Sequence, residues 1–141
     1  MAHEERSILI ERPINEVFNF LLDGVNNSLW RTTVTDCQPM PGKPNTYKQG
    51  MKGPGGRLDT DYEITDIQPN QSITLQQIAG MVKPTGRYTL EADGNATRVT
   101  YSLTFEAKGP AKMLEPIAAK IMRAEVGMVG NLKAYLEQNE R

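Results

Sequence analysis

Residues 86–109 read GRYTLEADGNATRVTYSLTFEAKG, and this stretch decides the fold. Two alternating runs flank a tight turn at Asp93–Asn95, the pattern of an antiparallel hairpin. In the second run Val99, Tyr101, Leu103 and Phe105 share one face, while Arg98, Thr100, Ser102, Thr104 and Glu106 share the other. The longest helical pattern of the chain follows at once, PAKMLEPIAAKIMRAEVGMVGNLKAYLEQ. A sheet with one apolar face has to be covered. The helix either packs flat on that face or roofs a space meant for a guest.

Working outward, SILIER (7–12) reads as a first strand, and Pro13 stands where a helix starts. INEVFNFLLDG then places Val17, Phe18, Leu21 and Leu22 at helical spacing, and NNSLW supplies another turn carrying Trp30. From Val34 the texture is strands: VTDCQPM, TYKQGMK, RLDTDYEITDI, SITLQQIA, GRYTLEA and TRVTYSLTFEA, each bounded by turn residues. Short links between them predict an antiparallel meander. The last helix is predicted from Pro110 to about Gln138. The order is therefore β-α-α-β6-α, an α+β chain of about seven strands forming a single domain over residues 1–141.

"ERPINEVFNFLLDGVNNSLW", "YEITDIQPNQSITLQ" and the hairpin quoted above, with a terminal helix ending "NLKAYLE", resemble the START/Bet v 1-like superfamily. Within it the likeness is to the polyketide cyclase/dehydrase group, and it runs through nearly the whole chain in order. The resemblance implies a helix-grip fold, a curved antiparallel sheet wrapped around a long C-terminal helix with an internal apolar cavity. It carries no defined catalytic set, because the superfamily mixes carriers, receptors, cyclases and co-chaperones.

Composition narrows the chemistry. The 141 residues include 23% charged and 38% apolar residues with a formal net charge of −1, ordinary for a globular chain. Lys and Arg are scattered, so no nucleic-acid partner is expected. No apolar run approaches the roughly 18 residues of a membrane span, so no stable membrane insertion is expected. The N-terminus has acids where a signal peptide carries bases, which reads as a cytoplasmic protein. The single histidine, His3, lies near a terminus, removing Ser-His-Asp machinery and His-rich metal sites; no metal and no cofactor are expected. Cys37 is alone and reads as a buried strand thiol. GMKGPGGR (50–57) lacks the Lys-Ser/Thr ending of a phosphate loop and reads as a hairpin turn at a cavity lip. Asp59, Asp61 and Glu63 share a strand face that reads as the solvated one, opposite Lys48 and Lys52.

Strand parity gives a lining for the expected cavity. Tyr47, Gln49 and Met51, then Thr60 and Tyr62, Leu75 and Gln77, Tyr88 and Leu90, and Tyr101 and Leu103 point inward, with Trp30 at the end of the second helix. Gln49, Thr60, Gln77 and four tyrosine hydroxyls are many polar tips for a dry core. Water, a ligand or solvent at a rim would satisfy them. Projecting the last helix puts Leu114, Ile117, Ala118, Ile121, Met128, Val129, Leu132 and Leu136 on one stripe, with Glu125 interrupting it. A carboxylate there either pairs with an inward-reaching arginine, overhangs the sheet edge, or meets a ligand as a candidate catalytic group. Arg87 becomes the partner only if a bulge reverses its parity.

The expected function is binding or transport of a small hydrophobic ligand (a lipid, isoprenoid or aromatic, polyketide-like metabolite) against Trp30, the inward strand residues, Ile117, Ile121, Glu125 and Met128. The alternatives are a cyclase/dehydratase-type enzyme using Tyr and Glu groups for acid–base chemistry, and a co-chaperone-like protein-binding module.

Overall fold

A computed structural model describes residues 1–138. The first strand is β1 (Ala2–Ile10), followed by α1 (Ile14–Leu22), a 3₁₀ turn (Gly24–Asn26) and α2 (Asn27–Trp30). The meander is β2 (Val34–Pro39), β3 (Thr46–Gly53), β4 (Gly56–Asp59), β5 (Tyr62–Gln68), β6 (Ser72–Gln77), β7 (Thr85–Asp93) and β8 (Ala96–Phe105). A 3₁₀ segment (Gly109–Leu114), α3 (Glu115–Val126) and α4 (Val129–Gln138) complete the chain.

All strand pairs are antiparallel, in the order β1-β8-β7-β6-β5-β3-β2, with β4 folded back on β3. The hairpin that opened the reading forms the heart of this sheet: Leu90 faces Val99, Tyr88 faces Tyr101 and Gly86 faces Leu103. Register irregularities at Val34/Asp36 and Ile64/Asp66 add the local bend that lets so long a sheet curl into a half-barrel. The sheet and its helical arm are the helix-grip α+β architecture expected.

Two sequence expectations change. RLDTDYEITDI is two strands, because Asp61 spends its carboxylate on the Gln49 backbone N–H at 3.0 Å while its own carbonyl accepts from Ile78. The terminal helix is also two helices. Its ladder gives way at Gly127, where Gly127 N–H bonds to Arg123 O and Met128 N–H to Glu125 O before α4 begins.

The burial of this arm differs from the projected stripe as well. Ala118, Met122, Glu125 and Val126 of α3 are buried, followed by Val129, Leu132 and Leu136 of α4. Ile117 and Ile121, expected inside, are 57% and 49% exposed. The cause is the edge on which α3 lies: it packs on β1 and β8, and Arg123 reaches Glu4 of β1 at 3.2 Å. The ammonium of Met1 meets Glu115 at 2.7 Å, fixing the same side of the helix to the same edge.

α1 closes the other end of the half-barrel with Val17, Phe18 and Leu21 buried. Gly24 follows it where the chain runs against β3 and β5. A Cβ there would stand 2.3 Å from Tyr62 Oη and 2.8 Å from the Tyr47 ring. Replacing Gly24→Ala is expected to cost about 1–3 kcal/mol through this overpacking, seen as a lower urea midpoint with unchanged slope.

Candidate functional site

The centre of the grip is filled. Trp30, Tyr88 and Tyr101 are all essentially inaccessible, and their rings contact one another: Tyr88 and Tyr101 stack at 4.7 Å, and Trp30 meets Tyr101 at 6.0 Å and Tyr88 at 6.3 Å. These are favourable aromatic separations. Strand parity brings the tyrosines here, and the short α2 delivers Trp30 from the other side.

Directly after Trp30, Arg31 turns inward and meets Glu125. Its Nε and Nη2 both donate to Glu125 Oε1, at 3.1 and 3.0 Å, and Thr33 Oγ1 donates to Oε2 at 2.6 Å. The two charged side chains are only 8% and 6% exposed. The carboxylate that interrupts the helical stripe thus has the arginine partner that one reading asked for, and both of its oxygens are occupied. The arginine is Arg31; Arg87 lies exposed on the convex face, reaching Ser72 at 3.5 Å. Burial works hardest against the charge of Arg31, yet the Glu125 carboxylate it bonds keeps the guanidinium charged, above its ordinary pKa. Burial also raises Tyr88 and Tyr101, so both hydroxyls stay neutral at ordinary pH.

A second buried network joins α2 to the sheet. The Asn27 amide donates to Gln49 Oε1 at 2.9 Å, to Tyr62 Oη at 3.0 Å and to Cys37 Sγ at 3.7 Å, while Gln49 donates to Thr60 at 3.2 Å. The polar tips of Gln49, Thr60 and Tyr62 are therefore satisfied by protein. Among the described residues no buried side-chain nitrogen or oxygen lacks a partner. Gln77 is answered in the same way, its amide donating to the carbonyls of Ala79 and Val82 and tying down the β6–β7 connection.

Partly exposed apolar side chains gather at the β3–β4 and β6–β7 end of the grip, called the open end below. At about 100° per residue, Arg123 and Glu115 occupy the flank of α3 fixed to β1. Ile117 and Ile121 occupy the opposite flank, beside the buried stripe of Ala118, Met122 and Glu125. Met51, Leu75 and Gln77 on the concave face are half-buried, and Leu58 is exposed. Gly86 stands between Leu75 and Leu103 in one cross-strand row, and the Leu103 side chain leans over it, 3.2 Å from where a Cβ would stand. Of the expected lining, Trp30, Tyr88, Leu90 and Tyr101 belong to the packed centre, and Gln49, Thr60 and Tyr62 to the Asn27 network. Met51, Leu75, Gln77, Leu103, Ile117 and Ile121 lie around this open end. Met128 is half-buried at the helix break, where Thr32 reaches its sulfur at 4.0 Å. A separate open cleft of about 300 Å³ lies at the other end, between Leu22 and Asp23 of the α1 terminus and Tyr47, Ile64 and Ile67. No group of metal-ligating side chains occurs among the described residues.

A curled antiparallel sheet with a helical arm across it is the helix-grip architecture. The chain belongs to the family described as polyketide cyclase / dehydrase and lipid transport, whose model matches residues 1–137. Family membership supports a ligand-binding or cyclase role. Among solved structures, a START superfamily protein from Mycobacterium smegmatis superposes with a TM-score of 0.74 at 12% identity, covering 99% of this chain and 100% of that one. The Zhui aromatase/cyclase from a Streptomyces species gives 0.73 at 17% identity, covering 99% and 95%. Ara h 8.0201 gives 0.73 at 17% identity, covering 97% and 98%. At these identities the likeness is one of fold. A search of curated protein sequences finds no match.

Two outcomes follow from the buried groups. Arg31→Met is expected to cost about 3–5 kcal/mol, since it strands the Glu125 charge, and adding Glu125→Leu is expected to restore most of the loss; a urea double-mutant cycle reads this directly. Burial also pushes the Cys37 thiol up to about 11. Its folded pKa is raised, so its contribution to stability is complete below the unfolded value and declines as pH rises toward 11. An aromatic disulfide reagent near pH 8 is expected to label the native thiol about 100-fold more slowly than the denatured one.

Proposed function

We propose that the protein binds a small, predominantly apolar molecule at the open end of the grip, between the Ile117/Ile121 flank of α3 and the wall formed by Leu75, Gly86 and Leu103. The observation that carries this reading is the exposure of that flank: two isoleucines beside the buried stripe of α3 remain about half in water. Fully burying an exposed isoleucine returns roughly 1.5–3 kcal/mol, so completing the burial of each returns about half of that. A guest supplies that burial.

The chemistry of the site favours holding over turnover. Glu125 is committed to Arg31 and Thr33, the central tyrosine hydroxyls are buried and neutral, and the Gln77 amide is committed to backbone carbonyls. A lipid, isoprenoid or aromatic polyketide-like skeleton with few polar atoms suits such a surface. It would be recognised by shape and apolar contact.

Titration with an environment-sensitive naphthalene dye, in the absence of lipid, tests this. Wild-type protein is expected to bind it and shift its emission to the blue. Ile117→Asp or Ile121→Asp is expected to weaken binding about tenfold or more with little change in thermal melting, whereas Leu29→Asp, exposed on α2, leaves it unaltered. Equal binding by all three variants would move the ligand elsewhere.

A further inference from the structure

The open end carries a second property that needs no guest in the cleft. The register puts Met1, the 53–56 turn, the 78–84 connection and the 106–114 connection at one end of the sheet. Ala2 faces Phe105, Thr85 faces both Gln76 and Thr104, Tyr62 faces Gln77, and β3 runs on past Tyr62 to Gly53. On these connections Met81 and Met113 are 83% and 82% exposed, with Ile78 and Ile117 behind them. Apart from Val25 and Leu29 on the α1–α2 side, the large exposed apolar residues lie at this end or on the α3 flank beside it.

Charge has the same polarity. Lys52, Lys83, Lys108, Lys112 and Lys120 are all exposed here, and none takes part in an ion pair among the described residues. Fewer acids stand against them: Glu115 holds the N-terminal ammonium, Asp36 and Asp59 share Arg57 and keep one negative charge between them, and Asp61 accepts from the Gln49 backbone. Glu106 is the one left over among the connections named. A chain of net charge −1 thus gathers an excess of positive charge at one end. Acids such as Asp23, Asp66 and Asp93 stand toward the far end.

Exposed flexible methionines ringed by lysines match an interface with anionic lipid. The thioether chains enter the headgroup boundary while the ammonium groups meet phosphate, and each lysine near such a surface contributes about 1 kcal/mol. A second copy of the chain fits less well, because a two-fold contact here would set five lysines against five. No helix of the described residues is long and apolar enough to cross a membrane, so the contact is interfacial. We propose that this end docks the protein reversibly on anionic phospholipid bilayers, through Met81 and Met113 flanked by Lys83, Lys108 and Lys112.

Co-sedimentation with phosphatidylcholine vesicles, with and without phosphatidylglycerol, tests it. Wild-type protein is expected to bind the phosphatidylglycerol vesicles at low salt and to be released at high salt. Lys112→Glu is expected to lower the partition coefficient by roughly tenfold or more, and Met113→Asp by a comparable factor; both positions are exposed, and an unchanged thermal melt confirms the fold. Leu29→Asp is expected to bind like wild type. Absence of binding, equal binding to vesicles without phosphatidylglycerol, or wild-type binding by both variants would overturn the proposal. So would a concentration-dependent dimer that Met113→Asp abolishes, which assigns the surface to a second copy. Because the dye titration contains no vesicles and the docking residues lie outside the Ile121 cleft, each result stands or falls separately.

Discussion

The ion pair between Arg31 and Glu125 governs the arrangement of the rest. It joins the turn after α2 to the last turn of α3, two segments far apart in sequence that both lie over the concave face. A buried pair of this kind adds little net stability over a well-packed apolar pair, yet separating it leaves an uncompensated charge in the interior. Any placement of the helical arm that slides α3 along the sheet, or rotates it by one residue, incurs that penalty. The pair therefore acts on register more than on stability. Once it is made, Trp30 sits over Tyr88 and Tyr101, and the helix breaks at Gly127 just beyond the point of attachment.

That attachment divides the grip into two unequal parts. On one side the aromatic centre, the Asn27 network and the α1 seam fill the space, with every described buried polar side chain satisfied. On the other, α3 is held to the β1 edge by Glu4 and by the Met1 ammonium, and Ile117 and Ile121 stay about half exposed. Had α3 lain over β6 and β7, Ile117 and Ile121 would be core residues. An edge attachment by charge and a central attachment by a buried pair together hold the helix where its flank stays wet.

Much of this was legible in the sequence because alternation survives curvature. The 86–105 pattern assigns faces correctly at Tyr88, Leu90, Val99, Tyr101 and Leu103, and the turn signals locate the connections between strands. Glu125 stood out because a charge in an apolar stripe violates a strong rule. Its partner did not, because Arg31 follows a four-residue helix whose direction no periodicity encodes. Asn27 was hidden for the same reason: a polar residue in a short helix reads as solvated until the sheet closes around it. The rotation of α3 was hidden differently. Its stripe is broad enough to bury either Ile117 and Ile121 or Met122 and Val126, and only tertiary contacts, the Arg31–Glu125 pair together with those of Glu4 and Met1, choose between them.

The satisfied polar groups also reverse an argument about the interior. Inward-pointing Gln49, Thr60, Gln77 and tyrosines seemed to call for water or a guest, but protein groups answer Gln49, Thr60, Tyr62 and Gln77. The unmet demand is apolar and lies at the mouth. It consists of isoleucine surface left in water on the flank of α3. Recognition driven by that demand would discriminate by size and shape, since removing apolar surface from water is non-directional. Orientation and encounter would then fall to the lysines outside, whose field reaches about a Debye length, roughly 8 Å, beyond the surface. Selectivity and delivery would thus reside in different residues of the same end, the first in the α3 flank and β6–β8 wall, the second in the connections around them.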